Sequence, residues 1–276
     1  MRLDPLSLLP AGLIADASRR GAQGIRISLA AAPKTPVVAR RAPGLRSRKA
    51  NRQATFWAGP AELRPPATDV LRGLDYVVVD VETTGGSMAR GHRITEVCAV
   101  RVGGDGRRLG EFTSLINPLR AIPPSIMALT RITHEMVQRA PLFEEIAVTL
   151  ADFLEGAVFV AHNAPFDWRF VSAELERAAV PVPYARVLCT VRLARHVVPE
   201  IPRRSLDALS YFFGIRNEAR HRAFGDARAT ARIFRRLLDR VDERDVLEWG
   251  QLESLLRRRA PRRRKRTAMP APMEDA

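Results

Sequence analysis

Beyond residue 72 the hydrophobic positions settle into short runs of alternating period. Tyr76–Val81, Ile94–Val102 and Phe112–Ile116 read as strands, with Gly103-Gly104-Asp105-Gly106 as a tight hairpin turn between the second and third. Pro118, Pro123, Pro124 and Pro141 punctuate residues 118–141, so only short helices fit there. Phe143, Ile146, Leu150, Phe153 and Leu154 keep helical spacing across Leu142–Leu154, and Gly156 supplies a stop. Val158–Ala161 follows as a short buried strand. Asn163 and Pro165 then form an N-cap and first-turn pair, which predicts a helix to about Ala179. Arg186–Thr190 predicts a further strand leading into a helix that ends near His196. Ser205–Phe213 predicts a helix stopped by Gly214. Gly225–Leu238 predicts a long arginine-studded helix with Ala229, Ile233, Phe234 and Leu237 on its apolar side. A hairpin followed by alternating helices and strands implies an α/β fold, a mixed sheet with helices packed on it. The chain has no internal repeat.

Charge redraws the picture at both ends. The 276 residues are 46% hydrophobic and 27% charged, ordinary for a soluble globular protein, yet the net charge is +15. Residues 1–72 hold 13 Lys+Arg against 4 Asp+Glu, residues 257–276 hold 8 against 2, and residues 73–256 hold 24 of each. The excess positive charge therefore lies entirely in the ends, whose weak periodicity and Pro/Ala/Arg richness predict disordered tails. Such tails suit loose attachment to nucleic-acid phosphates. They equally suit a solubilising tail or, at the N-terminus, a start codon assigned too early.

The longest early apolar run, Leu6 to Ile14, is interrupted by Pro10 and Gly12 and falls far short of the ~20 residues that span a bilayer, so no membrane partner is expected. Asp4 weakens a signal-peptide reading, and the Arg-rich N-terminus also fits an organellar transit peptide. Lys34, Lys49 and Lys265 are the only lysines against abundant arginine, which favours a GC-rich genome and a bacterial cytoplasm. Cys98 and Cys189 sit in apolar runs and read as buried thiols in a reducing compartment.

The candidate chemistry begins at "VVVDVETTGG", residues 77–86, where Asp80 and Glu82 interrupt an apolar strand. An unpaired buried carboxylate costs several kcal/mol, of the order of the ~5–15 kcal/mol that holds a domain together. Alternation puts both acids on one side of the strand, where a hard cation such as Mg²⁺ or Mn²⁺ would offset their repulsion. A salt-bridged strand end is the plainer reading of a D-x-E alone. The following Thr83-Thr84-Gly85-Gly86 strengthens the metal reading, because glycine permits close approach of a ligand to the backbone. In "AHNAPFDWRF", 161–170, Asp167 falls in the first turn of a helix, which by itself also fits an acid favouring the helix dipole. In "HRAFGDAR", 221–228, His221 and Asp226 would stand ~140° apart on one continuous helix. They can share a site only if His221 lies on a loop and Asp226 opens the helix.

Taken together, these segments resemble the three motifs of the DEDD superfamily of 3′→5′ exonucleases, histidine-containing branch. Asp80-Val81-Glu82-Thr83-Thr84-Gly85 resembles the first motif, His162-Asn163-Ala164-Pro165-Phe166-Asp167 the second and His221-Arg222-Ala223-Phe224-Gly225-Asp226 the third. "ITHEMVQRAP" (132–141) and "CTVRLAR" (189–195) also resemble the epsilon proofreading subunit of bacterial DNA polymerase III and its stand-alone relatives. The resemblance spans about residues 74–240. It implies a ribonuclease H-like mixed sheet with helices on both faces, in a domain from 73 to 241. A disordered basic extension (1–72) would precede it, and a C-terminal helix end with an Arg-rich tail (242–276) would follow.

It further implies hydrolysis with two Mg²⁺ or Mn²⁺ ions. Asp80 would bridge both ions, Glu82 and Asp226 would complete the site of the water-activating ion, and Asp167 would help hold the second through water. His221 would be the general base. The Thr83 backbone, Gly85 and Phe166 would lie against the terminal nucleotide. The implied partner is the 3′ end of single-stranded or frayed DNA. An RNA-trimming exonuclease like ribonuclease T or oligoribonuclease shares this chemistry, and a polymerase-associated binding subunit is the non-enzymatic alternative. The arginine run at 257–266 departs from the epsilon pattern and puts a DNA polymerase partner in doubt. "QLESLL" (251–256) faintly resembles a sliding-clamp peptide, but Ser254 occupies a normally apolar position, and an exposed helix end is the favoured reading.

Overall fold

The computed structural model describes residues 25–29 and 57–260. Its centre is a mixed sheet of seven strands in the order β1-β5-β4-β3-β6-β7-β2. These strands are β1 (Ile25–Leu29), β2 (Trp57–Ala58), β3 (Asp75–Thr83), β4 (Ile94–Gly103), β5 (Arg108–Leu115), β6 (Val158–Ala161) and β7 (Ala185–Cys189). β3, β4, β5 and β1 pair antiparallel in turn, β6 and β7 run parallel to β3, and β2 closes the far edge antiparallel to β7. The expected hairpin joins β4 and β5, with the Gly103 N–H donating to the Arg107 carbonyl at 2.9 Å and Gly106 at φ +84°.

The helices are α1 (Pro124–Thr130), α2 (His134–Gln138), α3 (Phe143–Leu154), α4 (Ala164–Arg177), α5 (Thr190–Val197), α6 (Leu206–Phe213), α7 (Ala223–Asp242) and α8 (Trp249–Arg257). They cover both faces of the sheet, which is why β3 reads as an unbroken valine run and not as an alternation. Val77, Val79 and Val81 pack with Phe143, Ile146 and Leu150 of α3 and Phe170 of α4. Tyr76 and Val78 pack on the other face with Ile233, Phe234 and Leu237 of α7. Strand alternation therefore directs Asp80 and Glu82 to the α7 face.

Two sequence boundaries require correction. Residues 57–72, expected in the disordered extension, carry β2, two short 3₁₀ turns and the fully buried Leu71. They are held to the C-terminal region: the Trp249 N–H donates to the Asp69 carbonyl at 2.9 Å, Gly250 to Ala67 at 2.7 Å, and Leu71 to Leu247 at 2.8 Å. Arg72 bonds Asp239 and Asp242 at 2.7 and 2.8 Å, and the Tyr76 hydroxyl donates to the Leu71 carbonyl at 2.8 Å. Residues 249–257 in turn form a packed helix and not an exposed end, with Trp249, Leu252 and Leu256 buried. The apolar side chains of 251–256 are thus committed to the core, which removes a free clamp-type peptide. The expected tails at 1–24, 30–56 and 261–276 lie outside the described residues.

Cys98 is buried and Cys189 half-buried, and both are free. No helix among the described residues is long and apolar enough to cross a membrane.

Candidate active site: an acidic cluster at the end of the central strand

β3 delivers Asp80 and Glu82 beside the start of α7, where Asp226 sits in the first turn. One carboxylate oxygen from each of the three lies within 4.8 Å of the other two. A β-bulge falls between Glu82 and Thr83, so the ladder with β4 slips immediately after the second acid. Bulges bend a strand and re-aim its side chains, which suits a strand that leaves the sheet at a site. Asp167 approaches from the opposite side. It is buried in the first turn of α4 and accepts a hydrogen bond from the Val81 N–H at 3.2 Å. All four sequence-predicted acids converge on residues 80–82, although Asp167 stands outside the three-oxygen group.

The electrostatics match that crowding. Burial, then the charges of Asp167, Glu82 and Asp226, push the Asp80 carboxyl well above the usual carboxylate range. Burial, then Asp226 and Glu96, push Glu82 up to about 8. Burial raises Asp167, and it also raises Asp226 against the hydrogen bonds that oppose it. Two carboxylates at ~4 Å repel by about 4 kcal/mol at an effective dielectric of 20. A set of hard oxygen donors this close suits a divalent cation such as Mg²⁺ or Mn²⁺. The residues present fit such an ion, with Asp80, Glu82 and Asp226 as the direct donors.

His221 lies in the turn before α7, as a shared site requires, in the left-handed region at φ +58°. Its backbone N–H donates to Asp226 Oδ2 at 3.2 Å, and its half-buried ring is close enough for its charge to act on Asp226. His162, the first residue of the second motif, is different. Burial lowers its pKa to about 4, and Nδ1 pairs with Thr190 Oγ1 at 3.0 Å, so it ties β6 to the start of α5 as a neutral imidazole. Asn163 sits at the N-cap of α4 as expected, but its side chain caps nothing. The position is left-handed at φ +80°, which asparagine tolerates.

The residues predicted to contact substrate have partners of their own. Phe166 is half-buried and packs on Phe170 with ring centroids 4.9 Å apart. The Thr83 hydroxyl donates to the Gly85 carbonyl at 2.9 Å. Gly85 has a nearer steric reason than a nucleotide: a Cβ there would stand 2.6 Å from His92 Nδ1. His92 in turn pairs with Thr84 Oγ1 at 3.1 Å.

Two residues that the motif reading passed over support the cluster. Asn217 donates a side-chain hydrogen bond to Asp226 Oδ1. Glu96, buried on β4, accepts from Arg222 Nε and Nη2 at 3.0 and 2.7 Å and from the Ala223 N–H at 2.8 Å. It thereby clamps the first residue of α7 to the sheet. The available signal was the lone acid in the apolar strand run "ITEVCAV".

Comparison with known proteins places this geometry. The family profile RNase_T, described as Exonuclease, matches residues 77–234. A putative bifunctional exonuclease/endonuclease protein of Mycobacterium tuberculosis is 40% identical over 75% of this chain and 32% of its own length. A DNA polymerase III subunit epsilon-like protein of Rhodobacter capsulatus is 40% identical over 68% of this chain and 27% of its own. The chain thus spans about a third or less of the relatives it matches. The structure of exonuclease X in complex with 5′ overhanging duplex DNA is 28% identical, with a TM-score of 0.50, covering 66% of this chain and 99% of that one. The nuclease domain of 3′hExo, a DEDDh family member bound to rAMP, has a TM-score of 0.53 over 63% of this chain and 94% of that one. At 19% identity that second likeness speaks for the fold alone. With the matched segment covering β4 to β7, nearly all of β3, the acidic cluster and most of α7, the chain belongs to the exonuclease family.

Proposed function

We propose that this chain hydrolyses the terminal phosphodiester bond at the 3′ end of DNA and releases nucleoside monophosphates, in the manner of an epsilon-like proofreading or repair exonuclease. The observation that carries the reading is the convergence of Asp80, Glu82 and Asp226 oxygens within 4.8 Å in a chain of the exonuclease family. Two divalent cations held by these acids and by Asp167 would polarise the scissile phosphate and stabilise the attacking and leaving oxygens.

The protein's own part is positional. Asp80 and Glu82 are fixed by β3, Asp226 is oriented by Asn217 and the His221 N–H, and Asp167 is held against the Val81 amide. His221, hinged just outside α7, takes the proton of the attacking water in this reading. Phe166 and the Thr83–Gly85 turn, next in the chain to Asp167 and Glu82, receive the terminal nucleotide in this reading. The name of the Rhodobacter relative supports an epsilon-like role, while the burial of Leu252 and Leu256 argues against a clamp peptide at 251–256.

Purified protein incubated with 5′-labelled single-stranded DNA and, separately, RNA of the same sequence tests the proposal. Mn²⁺-dependent shortening from the 3′ end, with DNA preferred, is expected. Shortening that persists in EDTA or in Asp80→Ala would sink it, and a preference for RNA would move the reading to an exoribonuclease.

A further inference from the structure

Away from the acidic cluster, α7 and the β4–β5 hairpin enclose a cavity of about 210 Å³ with an unusual charge balance. Arg108, Arg228, Arg232 and Arg235 line it, above a floor that includes Val102 and Leu238. Glu111 on β5 neutralises part of this charge, bonding Arg228 at 2.6 Å and Arg108 at 3.0 Å. Arg232 and Arg235 are exposed and make no ion pair among the described residues. The hairpin wall is glycine-built, with Gly103, Gly104 and Gly106 facing the cavity. At Gly106 a Cβ would come within 2.8 Å of Arg235 Cδ, so the wall leaves room for that side chain.

One aromatic ring links the groove to the end of α7 that carries the acids. The guanidinium carbons of Arg222, beside the acids, and Arg228, in the groove, stand 5.3 and 5.5 Å from the centroid of the Phe224 ring. Arg228, Arg232 and Arg235 then follow one another on one side of α7, at i, i+4 and i+7. At ~1.5 Å of rise per residue, Arg232 and Arg235 lie about 9 and 14 Å along the helix from Asp226. That corresponds to about three to four nucleotides of a strand kept stacked at the ~3.4 Å spacing of a B-form duplex.

We infer that this groove is a second nucleic-acid contact, in which Arg232 and Arg235 hold backbone phosphates of the strand some three to four nucleotides away from the reacting 3′ end. Excess positive charge, the lack of a paired acid at Arg232 and Arg235 among the described residues, and alignment with the helix that carries Asp226 point to a polyanion leading away from the site. The inference rests on the exonuclease reading and deepens it, because it adds a dependence on strand length that the acidic cluster alone does not supply.

The test uses the full chain and the double variant Arg232→Gln/Arg235→Gln. Arg236→Gln serves as a matched control, being exposed on the same helix but outside the groove lining. Binding of a 5′-fluorescein single-stranded DNA of about 20 nucleotides is followed by anisotropy in EDTA across a salt series. The double variant should flatten the plot of log K against log salt by about 1.4, at ~0.7 per lost phosphate contact. It should also raise KM on that strand on the order of 10-fold with kcat retained, and leave hydrolysis of a trinucleotide unchanged. An unchanged slope overturns the groove, as does a loss in Arg236→Gln equal per charge to that of the double variant, which would mark a diffuse field. An equal KM penalty on the trinucleotide also overturns it. If wild-type protein shortens no strand of any length, the exonuclease reading itself fails. If it shortens strands and the double variant behaves as wild type, only the groove fails.

Discussion

Glu82 and Glu96 are direct cross-strand partners on β3 and β4, and Arg222 separates their roles. Like charges placed opposite each other destabilise a ladder. Here the bidentate Arg222 contact and the Ala223 N–H occupy both oxygens of Glu96, while Glu82 is left facing Asp80 and Asp226. Glu96→Ala should therefore cost about 3 kcal/mol of stability, since it strands a half-buried guanidinium. It should also lower kcat by about 10–100-fold through loss of orientation at His221 and Asp226. Glu96→Gln, which keeps an acceptor for the Ala223 N–H, should lose less of both. Thermal melts and steady-state kinetics check this, and equal losses in the two variants would rule out the clamp.

The raised carboxyl pKa values fix a sign. Glu82 titrates near its ordinary 4.5 when unfolded and at about 8 when folded, and Asp80, Asp167 and Asp226 are also raised. The folded state holds these protons more tightly, so their contribution is fully present below the unfolded values and is lost as pH rises toward 8. The metal-free Tm should accordingly fall between about pH 4.5 and 8, beyond any trend seen in Asp80→Asn. Metal competes with the same protons. Stabilisation by Mn²⁺, about 2.7 kcal/mol at a hundred times Kd, should therefore grow across the same window. Scanning calorimetry of wild type and Asp80→Asn, with Mn²⁺ and with EDTA, measures both trends. A metal-free Tm that rises with pH would contradict the buried cluster.

Substitutions at the cluster should separate roles. Asp80→Ala and Asp226→Ala should abolish hydrolysis with the fold retained. His221→Ala should lower kcat by roughly 10²–10⁴-fold, as removal of a general base does. Asn217→Ala, which frees one oxygen of Asp226, should weaken Mn²⁺ activation about 10–100-fold. Manganese titrations of initial rate distinguish these effects. An undiminished rate in His221→Ala would assign proton removal elsewhere.

Gly85 and His92 form a pair that a double-mutant cycle can resolve. Gly85→Ala forces the His92 ring away from Thr84 and should destabilise by about 1–3 kcal/mol. His92→Ala should remove most of that penalty, giving a coupling of about 1 kcal/mol or more. Additive losses would mean that the backbone conformation at φ +157°, and not the ring, demands glycine.

The elements were legible because they rest on local periodicity. β6 and its flanks, the proline-bounded short helices, and the cap of α6, where Ser205 Oγ accepts from the Ala208 N–H at 3.3 Å, all follow from windows of a few residues. Motif spacing also picked out residues that the fold brings together, with Asp80, Glu82 and Asp226 in one group and Asp167 beside it. What escaped has a common cause in sequence distance. Arg222 meets Glu96 across 126 positions and Arg72 meets Asp242 across 170, and no local window carries such pairings. The same reason hid residues 57–72, whose charge suggested a tail while their partners lay at the other end of the chain. Removal of residues 1–56 takes away, among the described elements, only the edge strand β1 and should lower Tm modestly. Removal through residue 72 should lower it strongly by uncovering Leu71, Trp249 and Tyr76. Equal melting of the two truncations would return the boundary to 73.

α7 is fastened at both ends, by Glu96 on the Ala223 amide at its start and by Arg72 on Asp239 and Asp242 near its finish. A helix of 20 residues, ~30 Å long, clamped in this way moves as a beam, and Asp226 moves with it. The turn before it, from Gly214 to His221, is tied to that beam by Asn217 and the His221 N–H on Asp226, and to α6 by Arg220 on Asp207. Amides in the middle of α7 should therefore exchange with solvent only through global opening, and the His221 amide, bonded to Asp226, should share their protection. His221 and Asp226, five residues apart and joined by that bond, would then move together: the aspartate built into the beam, the histidine moored to its end.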